Sequence, residues 1–407
     1  MSGSEPWLLP AGIEEVLPGE AARLEQARRS VIDLLSSWGY ELVIPPLIEY
    51  LPSLLTGTGG DLDLQTFKLT DQLTGRLMGI RADMTPQVAR IDAHHMKRDV
   101  PVRLCYLGTV LHTRPNGFSG SRSFLQVGAE LYGHQGIESD VEILCLMLET
   151  MAVAGVQQVH LDIGHVGIYR GLAQQAALTA EQEITLFDAL QRKARSELDE
   201  LLASFRVAVA VAAMLRGLID LHGGEDVLRR AAACLAQASD PVREGLERLA
   251  ALAGQLHRWV PHVPLHFDLA ELRGYRYHTG VVFAAFVPGH GQEIARGGRY
   301  DDIGSLFGRS RPATGFSTDL KTLVALAGEP PEGASRAGAI LAPYADDVSL
   351  GRKVAGLRAS GERVIYALPR QTARPWELGC DRVLVWDGAQ WALLPASRLS
   401  ASAAPDE

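Results

Sequence analysis

Two apolar runs, Val102 to Leu111 and Phe124 to Tyr132, flank a loop from Thr113 to Ser123 rich in Gly, Ser, Asn and Pro. Apolar or aromatic residues alternating with polar ones, bounded by turn residues, predict two paired antiparallel strands. Strand side chains alternate with period two, so Gln126, Gly128 and Glu130 share one face of the second strand. A Gln and a Glu four residues apart, flanked by Leu125, Val127 and Leu131, could project into a pocket and hydrogen-bond a polar ligand there. A solvent-facing side of an antiparallel sheet gives the same alternation, and this stretch alone leaves both readings open.

A second group lies upstream. Thr66 to Thr70 and Arg76 to Arg81 flank a turn and predict a hairpin delivering Arg81-Ala82-Asp83-Met84-Thr85-Pro86. Thr85 suits an N-cap and Pro86 a first helical residue, so a helix is expected from here to about Lys97. Asp83 then sits at a strand-to-helix junction, where pocket residues often lie, or simply caps the helix. A third group is Glu271 to Gly280, with Arg273, Tyr277 and His278, followed by Arg296-Gly297-Gly298-Arg299-Tyr300-Asp301. Paired glycines allow the backbone to approach a ligand closely.

The elements that position these groups follow from periodicity. Pro18 to Trp38 is an amphipathic helix with Leu24, Ala27, Val31, Leu34, Leu35 and Trp38 at helical spacing, ended by Gly39. Tyr40 to Ile48 reads as one strand, its two prolines placing it at an edge or interface. Ser139 to Ala154 is an apolar helix and Val159 to Ile163 a strand. Thr179 to Trp259 is Ala/Leu/Arg-rich with helical period and breaks at Gly217, Gly223-Gly224 and Asp240-Pro241; it reads as a helical insertion without chemistry of its own. Leu265 to Tyr300 returns to strands. Ala327 to Ser335 is a linker by composition. Short strands at Ala337 to Leu341, Val364 to Leu368 and Val383 to Trp386, with a helix from about Ala345 to Ala359, form a small α/β unit. The expected organisation is therefore residues 1–326 as one domain with an insertion at about 179–260, a linker at 327–336, a small domain at 337–396 and a disordered tail at 397–407.

Composition narrows the function classes. The chain has 407 residues, 47% of them apolar, which is enough for a sizeable core. No run reaches the ~18 uninterrupted apolar residues of a membrane span. The acidic, proline-interrupted N-terminus is neither a secretory nor a mitochondrial signal, so the expected location is cytoplasmic. The four cysteines are scattered without a C-x-x-C pair, excluding a zinc or disulfide framework. His94 and His95 are adjacent and point about 100° apart on a helix, and His262 and His266 bracket Pro264, so neither pair suits a metal. Neither a metal nor any other cofactor is expected. A net charge of −9 without a basic cluster argues against nucleic acid as the main partner.

The three groups together resemble histidyl-tRNA synthetase, a class II aminoacyl-tRNA synthetase, over the chain up to about Leu326. The fold this implies is α+β: an antiparallel sheet flanked by helices, with the helical insertion and the small C-terminal α/β fragment. The helix and strand from Pro18 to Glu49 are similar to motif 1 of that class, which there forms much of a dimer interface. The strand pair resembles motif 2, with Gln126, Gly128 and Glu130 matching. Arg81 to Pro86 resembles the R-P-E-G-T motif, whose acidic residue and Thr hold the substrate amino group; Asp83 and Thr85 match. Arg273 and Tyr277 match a motif beginning R-G-L-D-Y-Y, where the Arg contacts the carboxylate, while His278 replaces its last Tyr, which touches the imidazole. Five residues, Gly297 to Asp301, match G-G-R-Y-D.

The departures carry the function. The motif 2 Arg is His112 here, and the motif 3 Arg aligns with Thr322. Losing one preorganised donor for phosphate charge costs ~10²–10³ in rate. Neutral His112 lacks the guanidinium fork, although Arg114 would lie on its face if the strand continued that far. Together with Arg81 to Pro86 and Leu111 to Pro115, these departures resemble the regulatory subunit of ATP phosphoribosyltransferase, a synthetase paralogue. The resemblance implies a non-catalytic chain that associates with a short-form catalytic subunit, as a self-dimer within a hetero-octamer. It would support the first step of histidine biosynthesis, with feedback inhibition by L-histidine and no tRNA. The implied histidine-binding residues are Asp83, Thr85, Arg114, Gln126, Glu130, Arg273, Tyr277 and His278. The alternatives are a divergent histidyl-tRNA synthetase and a structural partner with a vestigial pocket.

Overall fold

The structure, a computed structural model, describes residues 7–56, 60–115, 120–270, 274–275, 277–328 and 338–401. The chain divides into two units, Met1–Gly328 and Glu329–Glu407. The strands of the first unit are β1 (Glu41–Leu42), β2 (Ile48–Tyr50), β3 (Phe67–Thr70), β4 (Leu77–Ile80), β5 (Val102–Leu111), β6 (Ser123–Tyr132), β7 (His160–His165), β8 (His222–Gly223), β9 (Leu265–Asp268), β10 (Val281–Phe286), β11 (Ala295–Arg299) and β12 (Ala313–Asp319). Nine of them form one sheet in the order β1-β5-β6-β12-β11-β10-β7-β9-β8, and β2-β4-β3 form a second. The centre of the large sheet is antiparallel; the pairs β1–β5 and β7–β9 are parallel.

Alternation along β6 builds the two faces. Val127, Ala129 and Leu131 enter the main core with the helix Ile137–Val153. Gln126, Gly128 and Glu130 therefore take the opposite face. There Tyr106, Met84 and Tyr300 belong to a second buried cluster. The helix Pro18–Ser37 starts on its proline, and Gly39 ends it at φ +81, where a side chain would be strained.

Two sequence expectations are revised. The stretch from Tyr40 to Ile48 is not one strand. Pro45 and Pro46 lack the ladder donor, and the chain splits into β1 in the large sheet and β2 in the small one. The helix begun at Thr85 is α-helical only to Ile91 and continues as a π-turn, Asp92–Met96, before Lys97 turns left-handed. The segment 179–259, expected as an insertion within the first domain, holds five α-helices and a 3-10 turn, and Leu186, Leu215 and Leu249 share the buried cluster of Ile163 and Phe267.

The helix Thr85–Ile91 also ties the two sheets together. Gln87 donates to the Pro46 carbonyl at 2.9 Å and to Glu49 at 2.7 Å, and Arg90 donates to Glu49 at 2.5 Å. Glu49 sits on β2 beside the exposed side chains of Leu47 and Ile48.

The second unit has β13 (Ala339–Ala342), β14 (Val364–Tyr366), β15 (Cys380–Trp386) and β16 (Trp391–Pro395) in the order β14-β13-β15-β16. The helix Val348–Ala359 covers a core of Ile340, Val354 and Leu384. β16 was not expected, because its run is short and ends in proline. A turn in which Asp387 accepts from the backbone of Ala389 and Gln390 pairs it with β15. Ala396–Ala401 forms a 3-10 turn where disorder was expected. Residues 402–407 of the expected tail, 329–336 of the expected linker and residue 337 lie outside the described residues. No described helix is long and apolar enough to cross a membrane. Among the described residues no group of three His, Cys, Asp or Glu side chains is placed to hold a metal.

Candidate functional site

Cross-strand register sets the floor of the site. One row runs Gly164, Val282, Gly298, Gly315 and Glu130 over β7, β10, β11, β12 and β6. The next row runs Asp162, Ala284, Arg296, Ser317, Gly128 and Tyr106. Gly298 and Gly315 in the first row, and Ala284, Ser317 and Gly128 in the second, leave room for a cavity of about 250 Å³, lined among others by Asp83, Thr85, Glu130, Asp162, Tyr277 and His278.

Glu130 lies at the bottom, 1% exposed. Tyr106 donates to its Oε1 at 2.9 Å, and the Tyr300 hydroxyl bonds Oε2. Burial pushes this carboxyl up to about 8, against the opposing pull of the two tyrosine hydroxyls. Tyr106 also meets the Thr85 hydroxyl at 3.0 Å, so Thr85 and Glu130 share one network. Glycine is required at two positions beside it. A Cβ on Gly128 would lie 2.4 Å from the Tyr106 hydroxyl. A Cβ on Gly315 would lie 1.6 Å from Glu130 Oε2 and 2.7 Å from the Ala129 carbonyl oxygen. Gly315→Ala is therefore expected to cost ~1–3 kcal/mol in chemical denaturation. Adding Glu130→Ala should relieve only part of that loss, because the backbone contact remains.

At the cavity edge, Gln126 Nε2 donates to Asp83 Oδ1 at 2.8 Å, and the Thr85 backbone donates to the same oxygen at 3.0 Å. Gln126 Oε1 accepts from the Met84 backbone at 3.0 Å. Asp83 thus braces the helix start and faces the cavity at once. The Tyr277 hydroxyl is buried without a hydrogen-bond partner among the described residues, so a ligand atom could satisfy it. His278 packs edge-on to Tyr277, and its Nδ1 lies 3.1 Å from the Gly274 carbonyl.

A second cavity of about 460 Å³ adjoins the first and shares Asp83, Arg296 and Ser317 with it. His112 lines it, buried, with Nε2 2.9 Å from the Ala82 carbonyl and its ring against Phe124. Burial holds its pKa below the ordinary value, so the ring is neutral at pH 7. Thr322 is tied by its hydroxyl to Asp319 at 2.8 Å, and Lys321 reaches the Ser123 carbonyl instead of the cavity.

The structure thus brings together Asp83, Thr85, Gln126, Glu130, Tyr277 and His278. It does not bring Arg114 to them: β5 ends at Leu111, so the condition for Arg114 to share a face with His112 fails, and Arg114 is exposed and lines neither cavity. Arg273 lies outside the described residues. Sequence reasoning missed Tyr106, Tyr300, Asp162 and Arg296. A signal existed for the first: in the hairpin register Tyr106 faces Gly128, and a glycine opposite a tyrosine marks space that the ring must occupy.

The histidyl-tRNA synthetase family profile matches residues 12–323. The profile of the ATP phosphoribosyltransferase subunit HisZ C-terminal domain matches residues 337–394. An ATP phosphoribosyltransferase regulatory subunit from Thioalkalivibrio sulfidiphilus is 61% identical over 394 residues, covering 97% of this chain and 99% of its own. A relative of the same name from Stutzerimonas stutzeri is 57% identical over 396 residues, covering 97% and 99%. Among solved structures, an ATP phosphoribosyltransferase regulatory subunit/histidyl-tRNA synthetase from Bacillus halodurans superposes with a TM-score of 0.79 at 26% identity, covering 91% of this chain and 95% of that one. A histidyl-tRNA synthetase from Nostoc sp. PCC 7120 gives 0.76 at 18% identity, covering 98% and 99%, which speaks for the fold alone. With its sheet and helices arranged as in the synthetases and its sequence followed from end to end by such relatives, the chain belongs to the family of ATP phosphoribosyltransferase regulatory subunits.

Proposed function

We propose that this chain is a non-catalytic regulatory subunit that binds L-histidine in the cavity over Glu130 and passes that signal to a short-form catalytic subunit of ATP phosphoribosyltransferase. Together they carry out the first step of histidine biosynthesis under feedback inhibition, in the cytoplasm, with this chain dimeric inside a hetero-octamer. The observation that carries the reading is the contrast between the two cavities. The first offers hydrogen-bonding groups at several points: Glu130 below, Asp83 at the edge, braced by Gln126 from the side of the second cavity, and the Tyr277 hydroxyl, unpartnered among the described residues. Such a site rejects analogues that cannot make the same bonds. The second holds His112 as a buried imidazole and Thr322 tied to Asp319, the residues that the sequence resemblance sets at the positions of the synthetases' two phosphate-binding arginines. Neither of those two positions then supplies charge stabilisation for an attacking carboxylate and a polyphosphate, although Arg296 lines the same cavity.

The test is reconstitution. The chain is mixed with a short-form catalytic subunit, ATP and phosphoribosyl pyrophosphate, and L-histidine is titrated. Stimulation by this chain, with inhibition by histidine, is the expected result. Histidine inhibition should weaken about 10–100-fold in Glu130→Ala, as for a lost hydrogen bond in a buried site. The retained synthetase fold keeps a second reading alive, a divergent histidyl-tRNA synthetase. Histidine-dependent exchange of pyrophosphate into ATP by the chain alone would establish it and overturn the first.

A further inference from the structure

Tyr277 and His278 reach the first cavity on a short turn, and that turn is fastened from outside the cavity. Gly274 enters it at φ +67, and its carbonyl accepts from the backbone of Tyr277 at 2.8 Å and of His278 at 3.0 Å. At the far end the Thr279 backbone donates to the Arg299 carbonyl of β11 at 2.7 Å. Tyr275, 6% exposed, packs among helices instead of facing the cavity. Its ring stacks on Phe187, with centroids 4.3 Å apart, and meets Tyr169 edge-on at 5.4 Å. Both are arrangements that aromatic rings favour. The Tyr275 hydroxyl donates to the Glu183 carboxylate, and the Tyr169 hydroxyl donates to the Glu183 carbonyl at 2.6 Å. Arg170 closes this socket. Its guanidinium lies 5.1 Å from the Tyr275 ring centroid and donates to the carbonyls of Tyr275 at 3.2 Å and His278 at 3.3 Å.

Two helices supply the socket. Tyr169 and Arg170 lie on the helix Val166–Gln175, which follows directly on β7, the strand that gives Asp162 and Gly164 to the cavity. Glu183 and Phe187, four residues apart and so on one face, lie on the helix Ala180–Gln191. A capping box of Thr179 and Gln182 fixes its start. The segment 179–259, which this helix opens, contributes none of the described lining residues of either cavity. A ligand that holds Tyr277 and His278 restrains the turn, and the turn carries Tyr275. Opening the helix Ala180–Gln191 breaks the stack of Phe187 on Tyr275, so it costs more when the turn is restrained.

We propose that Tyr275 is a positioning residue that couples the cavity to the helix Ala180–Gln191, so that this helix becomes firmer when the cavity fills. The proposal rests on the reading that the cavity takes L-histidine. It gives the helical segment a part in carrying the signal away from the site. By linkage, loosening the socket must weaken the ligand by the factor that the ligand tightens the helix.

The test is hydrogen exchange read by mass spectrometry on the full chain, alone and assembled with a short-form catalytic subunit, with and without saturating L-histidine. Calorimetry gives the L-histidine affinity in each state. In the wild type, L-histidine should slow exchange in the helix Ala180–Gln191 about 5–150-fold, the usual range of coupling between two sites, and slow the helix Asp240–Trp259 less. Tyr275→Ala should abolish this slowing and weaken L-histidine by a similar factor. Arg170→Met removes the two carbonyl bonds and leaves the Tyr275 ring in place. It should produce part of both effects, and it decides the matter if Tyr275→Ala does not fold. Exchange in Ala180–Gln191 that bound L-histidine leaves unchanged overturns the proposal. Equal slowing of both helices also overturns it, since that reports stabilisation of the whole fold. So does a folded Tyr275→Ala of lower stability and unchanged L-histidine affinity, because the tyrosine is then structural only. Failure of the wild type to bind L-histidine in either state overturns instead the reading on which the proposal stands.

Discussion

Glu130→Gln is expected to remove a fall in stability that the wild type shows as pH rises from about 4.5 to 8. The folded-state carboxyl titrates near 8 because it is fully buried, against 4.5 for an unperturbed one. Between these values the native state holds a proton that the unfolded chain has lost, so stability decreases with rising pH and levels off above the folded value. Each pKa unit corresponds to about 1.4 kcal/mol, so the cumulative loss is on the order of several kcal/mol. Glutamine keeps an oxygen and an amide for the Tyr106 and Tyr300 hydroxyls but has nothing to ionise. Buried histidines act in the opposite direction: burial holds His165 at about 4 and lowers His112, so both favour the folded state as pH rises toward the ordinary histidine value. The difference between wild type and variant, measured by urea denaturation across this range, isolates the Glu130 contribution. Parallel profiles for the two proteins would show that the buried proton is held elsewhere.

Arg299→Met should cost ~3–5 kcal/mol, because it strips a buried carboxylate of its partner. The Arg299 and Asp140 side chains are 3% and 2% exposed and lie 2.9 Å apart. The same guanidinium donates to Ser139 at 2.8 Å and to the carbonyls of His134 and Gly136 at 3.2 Å each. It pins the end of β11 to the first turn of the helix Ile137–Val153. Burial already pushes the Asp140 carboxyl up, with Arg299 opposing it. Adding Asp140→Leu should recover much of the loss, since an apolar pair leaves no charge unpaired. Denaturation of the two single variants and the double variant gives the coupling directly. A loss under about 1 kcal/mol in Arg299→Met would contradict the role assigned to the pair.

The sequence carried the parts of the site that are local. Period-two alternation placed Gln126, Gly128 and Glu130 on one face, and the structure keeps them there. Thr85 and Pro86 marked the start of the helix that Asp83 braces, although Met84 takes the N-cap position and the Thr85 hydroxyl meets Tyr106 instead. What the sequence did not carry depends on which strands become neighbours. Gly164, Gly298 and Gly315 lie far apart in the chain, yet register sets them in one row with Glu130. Arg296 was read only as the start of a matching run, because its place between Ala284 and Ser317 comes from the strands beside it. Tyr300 was read as part of a matching run, and only packing shows its hydroxyl on Glu130. The break at Pro45-Pro46 was misplaced for a similar reason: proline signalled an edge, but not that the chain would change sheets there.

The helix Thr85–Ile91 begins at the cavity and ends in the grip of Glu49. Its first backbone donor is shared through Asp83 with the place where a ligand's amino group would come. Its far end holds the strand whose apolar side chains point outward, at Leu47 and Ile48. Filling the cavity therefore competes with the bond that seats one end of a two-turn lever, while whatever covers that strand bears on the other end. If occupancy of the cavity alters the covering of β2, covering β2 must alter occupancy by the same free energy.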